Sequence, residues 1–143
     1  MRALLDINVL IALLDVQHIH HRVATRWLQD NIDQGWASCP LTENGVIRIM
    51  SQPAYPNPLP VASVAKRLAE AAAAPWHRFW PDSTSLVEDG SVHWPHVLGS
   101  RQITDVYLLS LAVRNDGRFV SFERRIDAAA VPGAGPQHLV VLD

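Results

Sequence analysis

Short apolar runs alternating with amphipathic helical segments predict an α/β fold, with a parallel sheet of four to five short strands covered on both faces. Two observations carry this reading. The apolar runs at Ala3–Leu5, Trp36–Cys39, Arg118–Phe122 and His138–Leu142 are each too short for a helix. The segments between the first strands repeat their apolar residues at helical spacing. With 143 residues and 48% hydrophobic content, the chain suits one compact domain over residues 1–143.

Taken in order, Ala3–Leu5 reads as a buried strand and Val9–Leu14 as the helix after it. A second helix is expected from about His20 to Ile32, with Val23, Trp27, Leu28 and Ile32 on one face. After the strand Trp36–Cys39, Pro40 and Thr42 open a helix to about Ser51. Pro53, Pro56, Pro58 and Pro60 then impose an extended loop before a helix over Val61–Ala74. In the proline-punctuated middle, HRFW reads as a strand and Val92–Leu98 as a short helical turn. Thr104–Asn115 is a helix with Val106, Leu109 and Val113 on one face and Leu108, Leu111 and Ala112 beside it, so burial on more than one side is expected. Asp116–Gly117 is a turn signal that enters the strand Arg118–Phe122.

Composition narrows the function classes. The net charge of −2 supplies no broad basic field, so a nucleic-acid partner has to be held locally. Cys39, the sole cysteine, excludes an internal disulfide and a thiolate metal cage. Asp6, Asn8 and Asp15 break the apolar N-terminus into pieces too short for a secretory signal, and no apolar stretch approaches the roughly 18 residues that cross a bilayer. A soluble cytoplasmic protein without membrane attachment is the expectation.

Ligands of open parallel sheets bind beyond the carboxyl ends of the strands, and four acids fall there. Asp6 follows the first strand, Glu43 lies in the first turn after the second, Asp105 opens the late helix, and Glu123 follows FVSF. Singly, each has an ordinary explanation: an acid in a first turn complements the helix dipole, and Asp105, Thr104 or Asn8 could be an N-cap. Their conjunction at one sheet edge is less ordinary. Two carboxylates about 4 Å apart repel by roughly 4 kcal/mol at an effective dielectric near 20, against a total stability of about 5–15 kcal/mol for a domain. Such a cluster either takes up protons or holds a hard divalent cation, and oxygen-only ligands favour magnesium or manganese. An ion of that kind activates water and neutralises a phosphodiester, so phosphodiester hydrolysis is the inferred reaction class.

With these acids stand LLDINVLIAL, PLTENGVIRIMS, HRFWPD, RQITDVYLLSLAV and RFVSFERRI, and through them the sequence resembles a PIN-domain nuclease, more narrowly a VapC-type toxin, over most of its length. The resemblance implies a PIN-like α/β/α sandwich and an endoribonuclease dependent on Mg²⁺ or Mn²⁺. It makes Asp6, Glu43 and Asp105 the core metal-binding acids with Glu123 as the fourth, and Asn8, Thr104 and Ser121 the groups that orient ligands or water. It further implies an RNA substrate, a homodimer, and inhibition by a VapB-like antitoxin in a type II toxin–antitoxin pair. One position departs from the family pattern: Glu123 stands where Asp is usual. Asp127 is an alternative fourth acid if that segment is helical.

Other features keep two readings. Arg101 and the pair Arg124–Arg125 could contact substrate phosphates or be solvated surface charges. His18, His20 and His21 could include a metal-binding pair or simply mark an exposed helix start. The five tryptophans could contribute to a partner-binding or dimer face, or to a Trp-rich core. Haloacid-dehalogenase-type phosphatases and receiver domains also carry an aspartate after the first strand. Both need a lysine late in the sheet, whereas Lys66 lies in an early helix. No GxGxxG, GxxxxGK[ST] or nucleophile-elbow motif is present. The remaining rival is a degenerate, non-catalytic PIN domain that binds RNA or protein, for which Glu123 would be the sign of decay.

Overall fold

The computed structural model describes residues Met1–Asp143. β1 (Ala3–Leu5) leads into α1 (Ile7–Leu14) and α2 (His21–Asn31), then β2 (Trp36–Ser38), α3 (Pro40–Ser51), α4 (Val61–Ala72) and β3 (His77–Phe79). α5 (Ile103–Arg114), β4 (Arg118–Ser121) and β5 (Leu139–Val141) complete the chain, so the expected elements are all present. The five strands form one parallel sheet in the order β3-β2-β1-β4-β5. Register sets Leu4 opposite Ala37 on one side and Phe119 on the other.

Strand alternation divides the core into two layers. Ala3, Leu5, Trp36 and Val120 face α1 to α4, where Val9–Ala12, Val46, Met50, Val64 and Leu68 pack on them. Leu4, Ala37 and Phe119 face the other way, onto Val106, Leu108, Leu109, Leu111 and Ala112 of α5. Val92, Trp80, Ala130 and Val131 pack into the same layer, so α5 is enclosed on several sides as its sequence predicts. No helix is long and apolar enough to cross a membrane.

Some boundaries differ from the expectation, each for a local reason. α1 starts at Ile7 because Asp6, in extended conformation, accepts a hydrogen bond from the Ile7 N–H and so caps the helix; Asn8 lies inside it. α5 is preceded by the 3-10 turn Ser100–Gln102 and begins at Ile103, so neither Thr104 nor Asp105 is its N-cap. The turn expected over Val92–Leu98 is confined to Trp94–His96, and the His93 N–H donates to Ala130 O nearby at 2.8 Å. Of the tryptophans, Trp36 and Trp80 are buried, whereas Trp76 and Trp94 are 44% and 49% exposed. Trp27 lies under the Arg118 guanidinium, 4.9 Å from its ring centroid.

The Asp116–Gly117 turn shows why a glycine is needed before β4. A Cβ on Gly117 would lie 2.7 Å from the Arg2 carbonyl oxygen and closer still to the Trp80 ring. That carbonyl accepts from the Arg118 N–H at 2.9 Å, so it cannot retreat without loosening β1 from β4. Gly117→Ala is therefore expected to lower stability by about 1–3 kcal/mol in urea unfolding. Gly99→Ala, where a Cβ meets open space on extended backbone, serves as the unchanged control.

Candidate functional site

β1 and β4 are neighbours at the centre of the sheet, and their carboxyl ends deliver Asp6 and Ser121 to one edge. The Asp6 N–H donates to Val120 O at 3.0 Å, which fixes its backbone against β4. The residue is only 6% exposed. Oδ1 accepts from the Ile7 N–H at 2.7 Å and Oδ2 from the Ser121 hydroxyl at 2.7 Å. Ser121 Oγ in turn accepts from the Glu123 N–H at 3.0 Å, so one buried hydroxyl ties Asp6 to the loop carrying Glu123. Burial raises the Asp6 pKa; the two hydrogen bonds oppose this, and the Glu123 charge adds to it.

Asp105 lies in the first turn of α5. Burial, then the charges of Asp6 and Glu123, push its pKa up to about 7. Asp6, Asp105 and Glu123 are thus electrostatic neighbours although almost the whole chain separates the first from the last. Glu123 is exposed, and its Oε1 accepts from the Arg125 N–H at 2.9 Å.

Glu43 reaches the same sheet edge in the first turn of α3. Its Oε2 accepts from Ser38 Oγ at 2.7 Å, and it is not among the charges that raise Asp6 or Asp105. Ser38 is fully buried, and its Oγ also lies 2.8 Å from His77 Nε2 on β3. No three His, Cys, Asp or Glu side chains are gathered tightly enough to form a ready-made metal cage. Asp6, Asp105 and Glu123 form an open cluster, and Glu43 stands apart from their coupling. The cluster's donor set, carboxylate oxygen only, with the proton affinity of Asp6 and Asp105 raised, fits a hard divalent cation.

Asn8 and Thr104 are exposed and bond to none of the acids, whereas Ser121 bonds directly to Asp6. A cleft of ≈ 450 Å³ runs beside Asp105 and Glu123 and is lined also by Arg101, Gln102 and Arg125. Arg124 does not line it; its guanidinium pairs with Asp143 at 2.8 Å. Of the adjacent arginines it is Arg125 that shares the cleft with Arg101. Asp127 is also placed elsewhere. Residues 123–127 are not helical, and Asp127 accepts from the Ala129 N–H at 2.9 Å while pairing with His96 at 3.2 Å. The histidines near α2 are engaged locally: His21 Nδ1 contacts Ala12 O at 2.7 Å, and His20 stacks on Phe122. Sequence reasoning missed Ser38 and His77. Both belong to runs read as strands, and only the register of β2 against β3 brings them together.

No family model matches the chain. Among curated proteins, Ribonuclease VapC44 of Mycobacterium tuberculosis is 47% identical over 142 residues, covering 99% of this chain and 100% of that protein. Ribonuclease VapC38 of the same species is 42% identical over 85% of this chain and 84% of its own length, and Ribonuclease VapC39 is 37% identical over 93% and 96%. Among solved structures, VapBC2 from Rickettsia felis, bound to a DNA fragment from its promoter, superposes with a TM-score of 0.63 over the full length of both chains at 10% identity, a likeness of fold. With relatives this similar along almost its entire length, the chain belongs to the VapC ribonuclease family.

Proposed function

We propose that this chain, acting as one PIN unit over residues 1–143, is a divalent-metal-dependent endoribonuclease and the toxin component of a type II toxin–antitoxin pair. The observation that carries the reading is the raised proton affinity of Asp105, to which the charges of Asp6 and Glu123 add, and of Asp6 beside Glu123, at the sheet edge of a chain whose relatives are named ribonucleases. Asp6, Asp105 and Glu43 would hold Mg²⁺ or Mn²⁺, with Glu123 closing the acidic rim. The ion would supply a Lewis acid that lowers the pKa of water and neutralises charge on the scissile phosphate. Ser121 keeps the Asp6 carboxylate oriented by donating to Oδ2. Arg101 and Arg125, in the cleft beside Asp105, bind flanking phosphates of the RNA. The protein works in the cytoplasm as a homodimer and is silenced by a VapB-like antitoxin.

The rival, a binding module without catalysis, takes its support from Glu123, exposed and bonded to its own turn through the Arg125 N–H. RNA cleavage that requires Mg²⁺ or Mn²⁺ and stops on chelation separates the two, and RNA bound but uncut with either ion would defeat the enzyme reading. Asp6→Asn and Asp105→Asn are each expected to reduce cleavage by roughly 10²–10³-fold. Ser121→Ala is expected to cost about 10–100-fold in metal affinity or activity. For Glu123, comparison of Glu123→Asp with Glu123→Ala decides its part: equal and parental cleavage by both removes it from the catalytic set.

Asp105 also predicts a pH dependence. Its folded pKa of about 7 lies above the ordinary 3.8, so between these values the folded chain keeps a proton that the unfolded chain gives up. The associated stability is fully present below about pH 4 and is lost as pH rises through about 7. In EDTA at pH 8, Asp105→Asn is expected to be the more stable protein by about 1–2 kcal/mol, after allowing for solvent screening at a half-buried group. The difference should vanish near pH 4. Mg²⁺ should raise the Tm of the parent more at pH 8 than at pH 5.5, because protons compete for the same oxygens. Thermal unfolding across pH, with and without the ion, reads both effects.

A further inference from the structure

Glu43 has no acid neighbour that fixes its orientation, yet its carboxylate is held. The Ser38 hydroxyl has one hydrogen and donates it to Glu43 Oε2 at 2.7 Å. The 2.8 Å contact between Ser38 Oγ and His77 Nε2 must then take its hydrogen from the ring. Nε2 carries that hydrogen in the charged ring and in one of the two neutral tautomers, and the Ala72 backbone also hydrogen-bonds the ring, so the chain requires the Nε2–H form. Ser38 is fully buried, which leaves these two partners to satisfy its hydroxyl. The ring itself is fixed by its place on β3 and by contact with Trp36, centroids 4.4 Å apart.

We propose that His77 is a positioning residue for Glu43, acting through Ser38 in a one-way chain from Nε2–H to Oγ–H to Oε2. The chain occupies Oε2 and leaves Oε1 as the oxygen free to bind a metal or its water. This rests on the proposed role of Glu43 as a metal-binding acid. β3, at the edge of the sheet, thereby contributes to a site otherwise built from β1, β2, β4 and the helices that follow them. It gives the HRFWPD segment a function in addition to packing.

The test uses the whole chain with Mn²⁺ as probe. His77→Phe keeps an aromatic ring beside Trp36 but removes the donor, Ser38→Ala removes the relay, and His77→Gln restores an N–H at a similar reach. Mn²⁺ affinity by titration calorimetry is expected to fall about 10–100-fold in His77→Phe and Ser38→Ala, and to stay within a few-fold of the parent in His77→Gln. On the unmodified protein, ¹⁵N NMR is expected to show His77 Nε2 protonated. A bare Nε2, or parental Mn²⁺ affinity in His77→Phe, overturns the proposal. Glu43→Gln separates this failure from failure of the functional reading. If it is defective while His77→Phe and Ser38→Ala are parental, only the positioning role falls; if it binds Mn²⁺ and cleaves RNA like the parent, Glu43 is not a ligand and both statements about it fail.

Discussion

The burial of Asp6 is the constraint around which the acid-bearing edge is organised. The carboxylate of a residue only 6% exposed is costly unless its oxygens are hydrogen-bonded, and the chain meets that requirement twice. One donor, the Ile7 N–H, is local and starts α1. The other, the Ser121 hydroxyl, comes from β4, the strand that pairs with β1 for its full length. The same side chain is therefore a helix cap, a clasp between two central strands and the most deeply buried of the four acids.

From that anchor the charge pattern follows. α5 packs against the sheet face bearing Leu4 and Phe119, which brings its first turn, and Asp105 with it, toward Asp6. The helix N-terminus favours an anion there by about 0.3–1 kcal/mol, but burial and two neighbouring carboxylates outweigh it, and the proton affinity of Asp105 rises. The strain is confined to a place where a divalent ion could relieve it. Near the C-terminus, exposed groups meet partners of opposite kind: Arg124 pairs with Asp143, and Asp127 contacts the His96 ring.

Much of this was legible in the sequence because it is periodic or adjacent. Strands and helices follow the apolar spacing, and Asp6, Glu43, Asp105 and Glu123 could be assigned to strand ends or first turns by counting. Three features were not legible, for one physical reason: each depends on which atoms meet across the fold. Arg124 and Arg125 are equivalent in sequence, and only the turn after β4 directs the first to Asp143 and the second to the cleft. Ser38 and His77 are linked by register between β2 and β3. That Glu43 stands apart from the Asp6–Asp105–Glu123 coupling is set by a single hydroxyl, Ser38, that no spacing rule identifies.

Glu123 shows how an exposed acid can act on its neighbours through charge. Its Oε1 accepts from the backbone N–H two residues on, the contact that Asp127 also makes with Ala129, while its own backbone N–H is held by Ser121. Its loop is thus bonded at both levels, and the side chain remains exposed where Asp6 is buried. Its charge is nevertheless felt by both Asp6 and Asp105. Electrostatic influence falls off slowly with distance, whereas direct coordination demands contact. An acid placed in this way can hold up the proton affinity of its neighbours, and hence their appetite for a cation, without itself having to be a ligand.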